Sequence, residues 1–162
     1  MAGRVRFPPV AFKKDNNMTR FFSLMALLLA SLLTALPASA EQTKQIRNLE
    51  VHYSSFPSTF LTPDIASTYK IQRSRYSAVI NITVLDSSQP GKPAVQAVLS
   101  GTAKNLLGSV KNLSFREVRE GEAIYYIAEI KHANEESFNF SIEIHATGAS
   151  GNLAFQQTFF VD

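Results

Sequence analysis

Between Ser137 and Thr147 the chain reads SFNFSIEIHAT, and every second side chain is apolar. Phe138, Phe140, Ile142, Ile144 and Ala146 fall on one side, with Asn139, Ser141, Glu143 and His145 on the other. A period of two separates the faces of a β-strand, whereas a helix would scatter the same residues around its axis. A strand with one apolar face is stable only against a second layer, so this run commits the chain to packed β architecture.

The same pattern recurs along the chain. Ile46 to Phe56 reads as a first strand, with Leu49, Val51 and Tyr53 opposite Glu50, His52 and Ser54. Tyr76 to Asp86 places Tyr76, Ala78, Ile80, Ile82 and Val84 on one face. Ser87 to Pro93 (SSQPGKP) is a turn by composition, and Ala94 to Ala103 is a weaker strand in which Gly101 predicts a bulge. Leu113 to Ile130 folds as a hairpin about Glu120-Gly121, because glycine takes the positive φ of a tight turn without steric cost. Its second arm, Ala123 to Ile130, is apolar on both faces apart from Glu129, the pattern of a strand covered from two sides. That arm is the expected centre of the fold. Gly148 to Asn152 is a turn, and Leu153 to Val161 is the closing strand.

One short helix is expected near residues 63–69. Thr62 can cap its exposed amides, Pro63 suits the first helical position, and Asp64 complements the positive end of the dipole. About seven strands and one helix predict an all-β fold: an antiparallel two-layer sandwich of immunoglobulin-like type. A small closed β-barrel is the alternative.

The first 40 residues stand apart. Phe21 to Leu36 is an apolar run preceded by Arg4, Arg6, Lys13, Lys14 and Arg20 and followed by Ala38-Ser39-Ala40. Positive flank, short apolar core and small-x-small tripeptide are the parts of a secretory signal peptide, with cleavage expected after Ala40. The run is shorter than the ~20 residues of a membrane-spanning helix, so no transmembrane segment is expected after cleavage. Met18 opens an ordinary leader, and Met1 to Asn17 reads as an extension from a wrongly chosen start codon. Residues 41–162 then form a single β-sandwich domain, long enough to bury its own core.

Removing the leader changes the charge balance. Five of the 16 Lys and Arg and one of the 13 acids precede residue 41, which leaves eleven bases against twelve acids. The basic footprint of a nucleic-acid-binding protein is absent. The chain has no cysteine, and its three methionines, Met1, Met18 and Met25, all precede residue 41. Thiolate nucleophiles, thiolate metal sites and disulfides are therefore excluded.

Val51 to Tyr69 (VHYSSFPSTFLTPDIASTY), Asn105 to Gly108 (NLLG) and Phe115 to Glu129 (FREVREGEAIYYIAE) resemble segments of a bacterial family known only as domain of unknown function 4426. Its members are small exported proteins of gammaproteobacteria. The resemblance spans most of the chain after residue 40, implies an envelope location in the periplasm, and supplies no catalytic residues.

Candidate chemistry is sparse. His52, His132 and His145 lie far apart in sequence, without the close pair typical of zinc or copper sites. Ser100 in LSGTA lacks the first glycine of a nucleophile elbow. Glu117, Glu120, Glu122 and Glu129 interleave with Arg116 and Arg119, which reads as charge pairing on a solvated face rather than a glycosidase pair. Asn81, Asn112 and Asn139 open Asn-x-Ser/Thr triplets; Asn81 and Asn139 read as ordinary outward strand positions.

Two functions of different class follow. The first is a non-enzymatic, cofactor-free envelope protein that binds a partner protein through a loop patch or a sheet edge. Its patch, suited to a partner or to lipid, would use Phe60 and Leu61 from the long connection Phe56 to Tyr69, with Leu106 and Leu107; the bland alternative is that this connection plugs one open end of the sandwich. The second is a small-ligand carrier or hydrolase with a barrel-like pocket, where His52, Arg116 and Tyr125 converge. The identity of the partner and the oligomeric state are not legible at this level.

Overall fold

The computed structural model describes residues 42–161, so the expected signal peptide lies outside the described residues. Nine strands form: β1 (Gln42–Ile46), β2 (Leu49–Pro57), β3 (Ser77–Asp86), β4 (Ala97–Asn105), β5 (Val110–Leu113), β6 (Arg116–Glu120), β7 (Ala123–Lys131), β8 (Glu136–Ala146) and β9 (Ala149–Phe159). A 3-10 turn at Ser58–Phe60 and one helix, α1 (Pro63–Thr68), lie between β2 and β3. The strands pair antiparallel in two sheets, one of five strands in the order β1-β2-β3-β7-β6 and one of four in the order β5-β4-β8-β9. This is the sandwich that the alternation predicts, and the sheets do not close into a barrel.

Two predicted strands divide. The first turns at Arg47-Asn48, so that Ile46 pairs with Leu49. The run into the hairpin breaks between Leu113, which ends β5 in the four-stranded sheet, and Arg116, which opens β6 in the other. Leu113 and Phe115 keep the alternation in phase through the break and both pack on the core, so the pattern conceals the change of sheet.

Gly101 is not a bulge. It stands in regular register opposite Leu113 on one side and Ile142 on the other. A Cβ there would lie 2.7 Å from the Ser141 carbonyl oxygen and 2.9 Å from Ile142 Cγ1, so close approach of strands is what requires glycine. Gly121 does supply the hairpin turn, with φ 57° between Glu120 and its pair partner Ala123.

Between the sheets, Val51, Ile80, Ile82 and Val84 face Phe138, Phe140, Ile142, Ile144 and Leu153, all buried. The Phe140 ring stacks on Phe155 with centroids 4.6 Å apart and meets Phe159 edge-on. Each such side chain contributes about 1.5–3 kcal/mol through burial. A polar tip in this layer is Tyr126, whose hydroxyl accepts from Ala97 N at 2.7 Å and donates to Glu117 at 3.2 Å; burial pushes its phenol pKa up. The middle strand of the five-stranded sheet is β3, so the centre lies one strand over from β7.

β2, β4, β7 and β9 finish at one end of the sandwich, where β3, β5 and β8 begin. We refer to it as the Pro57 end, and to the opposite one as the Asp86 end.

Candidate functional site

The outer face of the five-stranded sheet is apolar where β3 and β7 meet. Val79 and Ile127 are buried there, with Phe56, Val118 and Tyr125 half-buried around them. The segment between β2 and β3 folds back over this face and covers it with Leu61, Ala66, Tyr69 and Ile71. It does not plug the end of the sandwich.

Polar clamps fix this cover. Ser58 is fully buried; its hydroxyl lies 3.2 and 3.0 Å from the carbonyl oxygens of Gln72 and Ser74 and accepts from Ser74 N at 2.9 Å. The two strands of the loop are thereby joined at its base. Thr62 Oγ1 caps α1 by accepting from Ile65 N, as its position before Pro63 predicts. The helix closes with Lys70 in the left-handed region (φ 52°), Lys70 N donating to Ser67 O and Ile71 N to Ala66 O. Arg116 of β6 donates to the Tyr69 carbonyl at 2.6 Å and reaches Glu129 at 3.5 Å, while the other Glu129 oxygen accepts from Gln72 N. The Tyr69 hydroxyl donates to Glu120, and that bond pushes the phenol pKa up.

Beneath the cover lies a cavity of about 240 Å³, walled by Phe56, Leu61, Tyr69, Ile71, Tyr125 and Ile127. Asn81 of β3 also lines it, and its Oδ1 is buried without a hydrogen-bond partner. A buried carbonyl of this kind costs about 1–3 kcal/mol until a donor reaches it. The cavity is thus an apolar cleft with one unanswered acceptor in its wall.

The family described as Domain of unknown function (DUF4426) matches residues 43–162. The chain belongs to this family. A crystal structure of a DUF4426 family protein from Pseudomonas aeruginosa PAO1 is 36% identical; the match covers 77% of this chain and 98% of that one, with a TM-score of 0.67. FetP of uropathogenic E. coli strain F11, recombinantly expressed in the periplasm of E. coli, matches at 11% identity over 75% of this chain and 94% of that one, TM-score 0.52. A copper-bound variant of FetP carrying one substitution matches at 10% identity over 76% and 92%, also with a TM-score of 0.52. At those identities FetP shares the fold. No curated protein sequence matches.

In this DUF4426 chain the residues singled out from sequence divide among three places. Leu61 and Tyr125 wall the cavity, and Phe60 stands at its rim, 83% exposed, with its ring 6.0 Å from that of Phe56. Arg116 adjoins the cavity as a clamp on the cover. His52 lies apart, its Nε2 2.8 Å from Glu50, whose carboxyl pKa is lowered by Lys92 and by His52. Leu106 and Leu107 sit on the β4–β5 turn of the other sheet, beside a separate cavity of about 360 Å³ shared with residues 133–137.

The charge alternation around the hairpin resolves into two pairs, Arg119 with Glu117 at 2.6 Å and Arg116 with Glu129. The first holds the Glu117 carboxyl below its usual pKa. The second does more than solvate a face, since it ties down the cover. His145 is exposed, whereas His132 is buried and stacks on Phe159 at 5.1 Å. His132 Nδ1 donates to the Ala133 carbonyl, leaving Nε2 without a partner. Among the described residues no group of three or more His, Asp or Glu side chains is placed to hold a metal, and no helix is long and apolar enough to cross a membrane.

From sequence, Asn81 reads as an ordinary outward strand position and Glu120 as surface charge pairing, with Tyr69 only at the end of the long connection; none of the three is assigned to a cavity. The available signal was β7 itself: an arm apolar on both faces needs a cover on the second one, and the polar residue opposite it on the neighbouring strand then meets that cover. Asn81 pairs with Ile127.

Proposed function

We propose that the protein is an exported, non-catalytic binding module of the bacterial cell envelope that acts through the segment joining β2 to β3. The observation that carries this reading is Phe60. It is a large aromatic side chain left 83% exposed on a connection that is clamped rather than free, through Ser58, through Arg116 and through Arg73, which donates to Thr59 O at 3.2 Å. Rigidly presented aromatic side chains lose little entropy on binding and anchor interfaces. Export is supported by the leader pattern over residues 21–40, with cleavage after Ala40 leaving residues 41–162, and by periplasmic production of the FetP neighbour. A loop patch is preferred to strand addition at β6, because Arg116, Glu117, Arg119 and Glu120 put charge along that edge. Catalysis has little support, since the carboxylates near the cavity are occupied by Arg116, Gln72 and Tyr69.

The test is capture from envelope fractions with wild type and with Phe60→Ser/Leu61→Ser. Loss of capture by the variant supports the reading; equal capture with reduced stability overturns it. A second reading, a carrier for a small apolar ligand, is favoured by the unpartnered Asn81 Oδ1. It predicts uptake of 1-aminoanthracene, an aromatic ring with an amine donor, and loss of that uptake in Asn81→Leu.

A further inference from the structure

Exposed apolar side chains are not spread evenly over this molecule. Phe60, Tyr76, Leu106, Leu107, Val110 and Phe160 lie on loops or strand ends at the Pro57 end, and Leu107 is 94% exposed. Of the other exposed large hydrophobics among the described residues, Ile65 belongs to the cover and Val98 to the outer face of the four-stranded sheet. Charge follows the same polarity. Among the described residues Arg73, Arg75, Lys104 and Lys131 are exposed at the Pro57 end, with Glu135 as an exposed acid; Glu136 is engaged by Asn105 and Ala133 N. The Asp86 end carries Asp86, Glu120 and Glu122 with Arg47 and Lys92.

We propose that the Pro57 end seats on an anionic lipid surface, which rests on the binding-module reading above and names its partner. Apolar tips on several separate loops, ringed by Lys and Arg, match the layered chemistry of a bilayer surface: acyl boundary for the tips, anionic headgroups for the bases. The core of a protein interface is instead depleted in lysine and packed as one continuous patch. Tyr76 supplies an aromatic side chain of the kind that sits at headgroup level, and Phe60 supplies an apolar ring for the acyl boundary. Arg73 and Arg75 lead into the start of β3, and Lys131 ends β7 directly opposite Ser77, so one plane can receive all three.

The absence of cysteine makes the test direct, because a single introduced thiol takes an environment-sensitive fluorophore at a chosen site. Leu107→Cys reports on the Pro57 end and Gln89→Cys on the opposite end. With vesicles of phosphatidylglycerol and phosphatidylcholine, the label at 107 shifts to the blue and the label at 89 does not. Phosphatidylcholine alone gives no shift, and about 0.5 M salt weakens partitioning roughly tenfold or more. Arg75→Glu/Lys104→Glu/Lys131→Glu, confined to exposed positions, weakens it by a similar factor at low salt. Because each label reads its own surroundings, association through the leader would not mimic the result. No shift on either vesicle, an equal shift at both sites, or insensitivity to the charge reversal overturns the proposal. So does a shift at 107 that needs no vesicles and grows with protein concentration, which would assign this end to a second copy of the chain. If lipid binding fails while Phe60-dependent capture persists, the lipid surface alone is wrong; if capture fails as well, the module reading falls with it.

Discussion

The outer faces of the two sheets come from strands of similar length and opposite character. On the four-stranded sheet, Ser100, Asn139, Ser141, Glu143 and His145 point into solvent, and nothing among the described residues covers them. On the five-stranded sheet, Val79 and Ile127 are buried under a folded connection, and Phe56, Tyr125 and Val118 are half-buried beside them. A strand that alternates cleanly completes itself against one partner layer. A strand apolar on both faces demands a third layer, and a loop recruited for that task does not pack as densely as a sheet. The cavity under the cover and the orphaned Asn81 oxygen follow from that imperfect fit. The cover is therefore both a structural necessity and the place where a ligand or partner finds room.

Substitution separates the two faces. Ile127→Ala should cost about 2–3 kcal/mol, because it removes buried methyl groups beside an existing cavity, whereas Ser141→Ala on the bare face should stay within about 0.5 kcal/mol. Denaturant unfolding of both variants would erase the contrast if the costs proved equal. Ser58→Ala should cost about 1–2 kcal/mol, since it leaves the part-buried Ser74 amide without its acceptor. Hydrogen exchange should then rise across residues 58–76 and stay unchanged in β8; a uniform rise would mean that the cover is not a separate unit. Arg116→Ala should cost about 1 kcal/mol, a figure held down by the half-exposed position of the side chain, and should loosen the same residues. Lys70→Gly should stabilise by about 0.5 kcal/mol, as the left-handed conformation at that position suits glycine; a fall in melting temperature would contradict it.

Acid acts elsewhere in the same sheet. Hydrogen bonds from Ser88, Gln89 and Asn48 lower the Asp86 carboxyl pKa to about 2. A carboxyl depressed by folding contributes stability that is present above its unfolded value and lost as pH falls through the folded one. Stability should thus decline between about pH 4 and pH 2, and Asp86→Asn should flatten that part of the profile. An unchanged slope in the variant would show that Asp86 is not the group responsible.

Much of this was written into the chain locally. The strict alternation from Ser137 to Thr147, the positive φ at Gly121, and the Thr62-Pro63-Asp64 helix start depend on residues within one turn or strand of each other, and all three took the expected form. Where two strands alternate in phase, as Leu113 and Phe115 do across the sheet change, the pattern cannot reveal the break. Gly101 shows the same limit, since a bulge and a close crossing call for the same residue and only Ile142 on the neighbouring strand tells them apart.

The sequence by itself determined that this protein would be built of antiparallel strands with apolar inner faces, because period two and turn residues act at short range. Packing as two sheets instead of closing into a barrel was decided by the tertiary structure. Tertiary structure alone decided that the β2–β3 segment lies over a sheet face instead of filling an end, that Arg116 holds it there, and that Asn81 is left with an unanswered oxygen. Those outcomes depend on what stands across a gap from each residue, and side chains distant in the chain meet only once the sheets have packed.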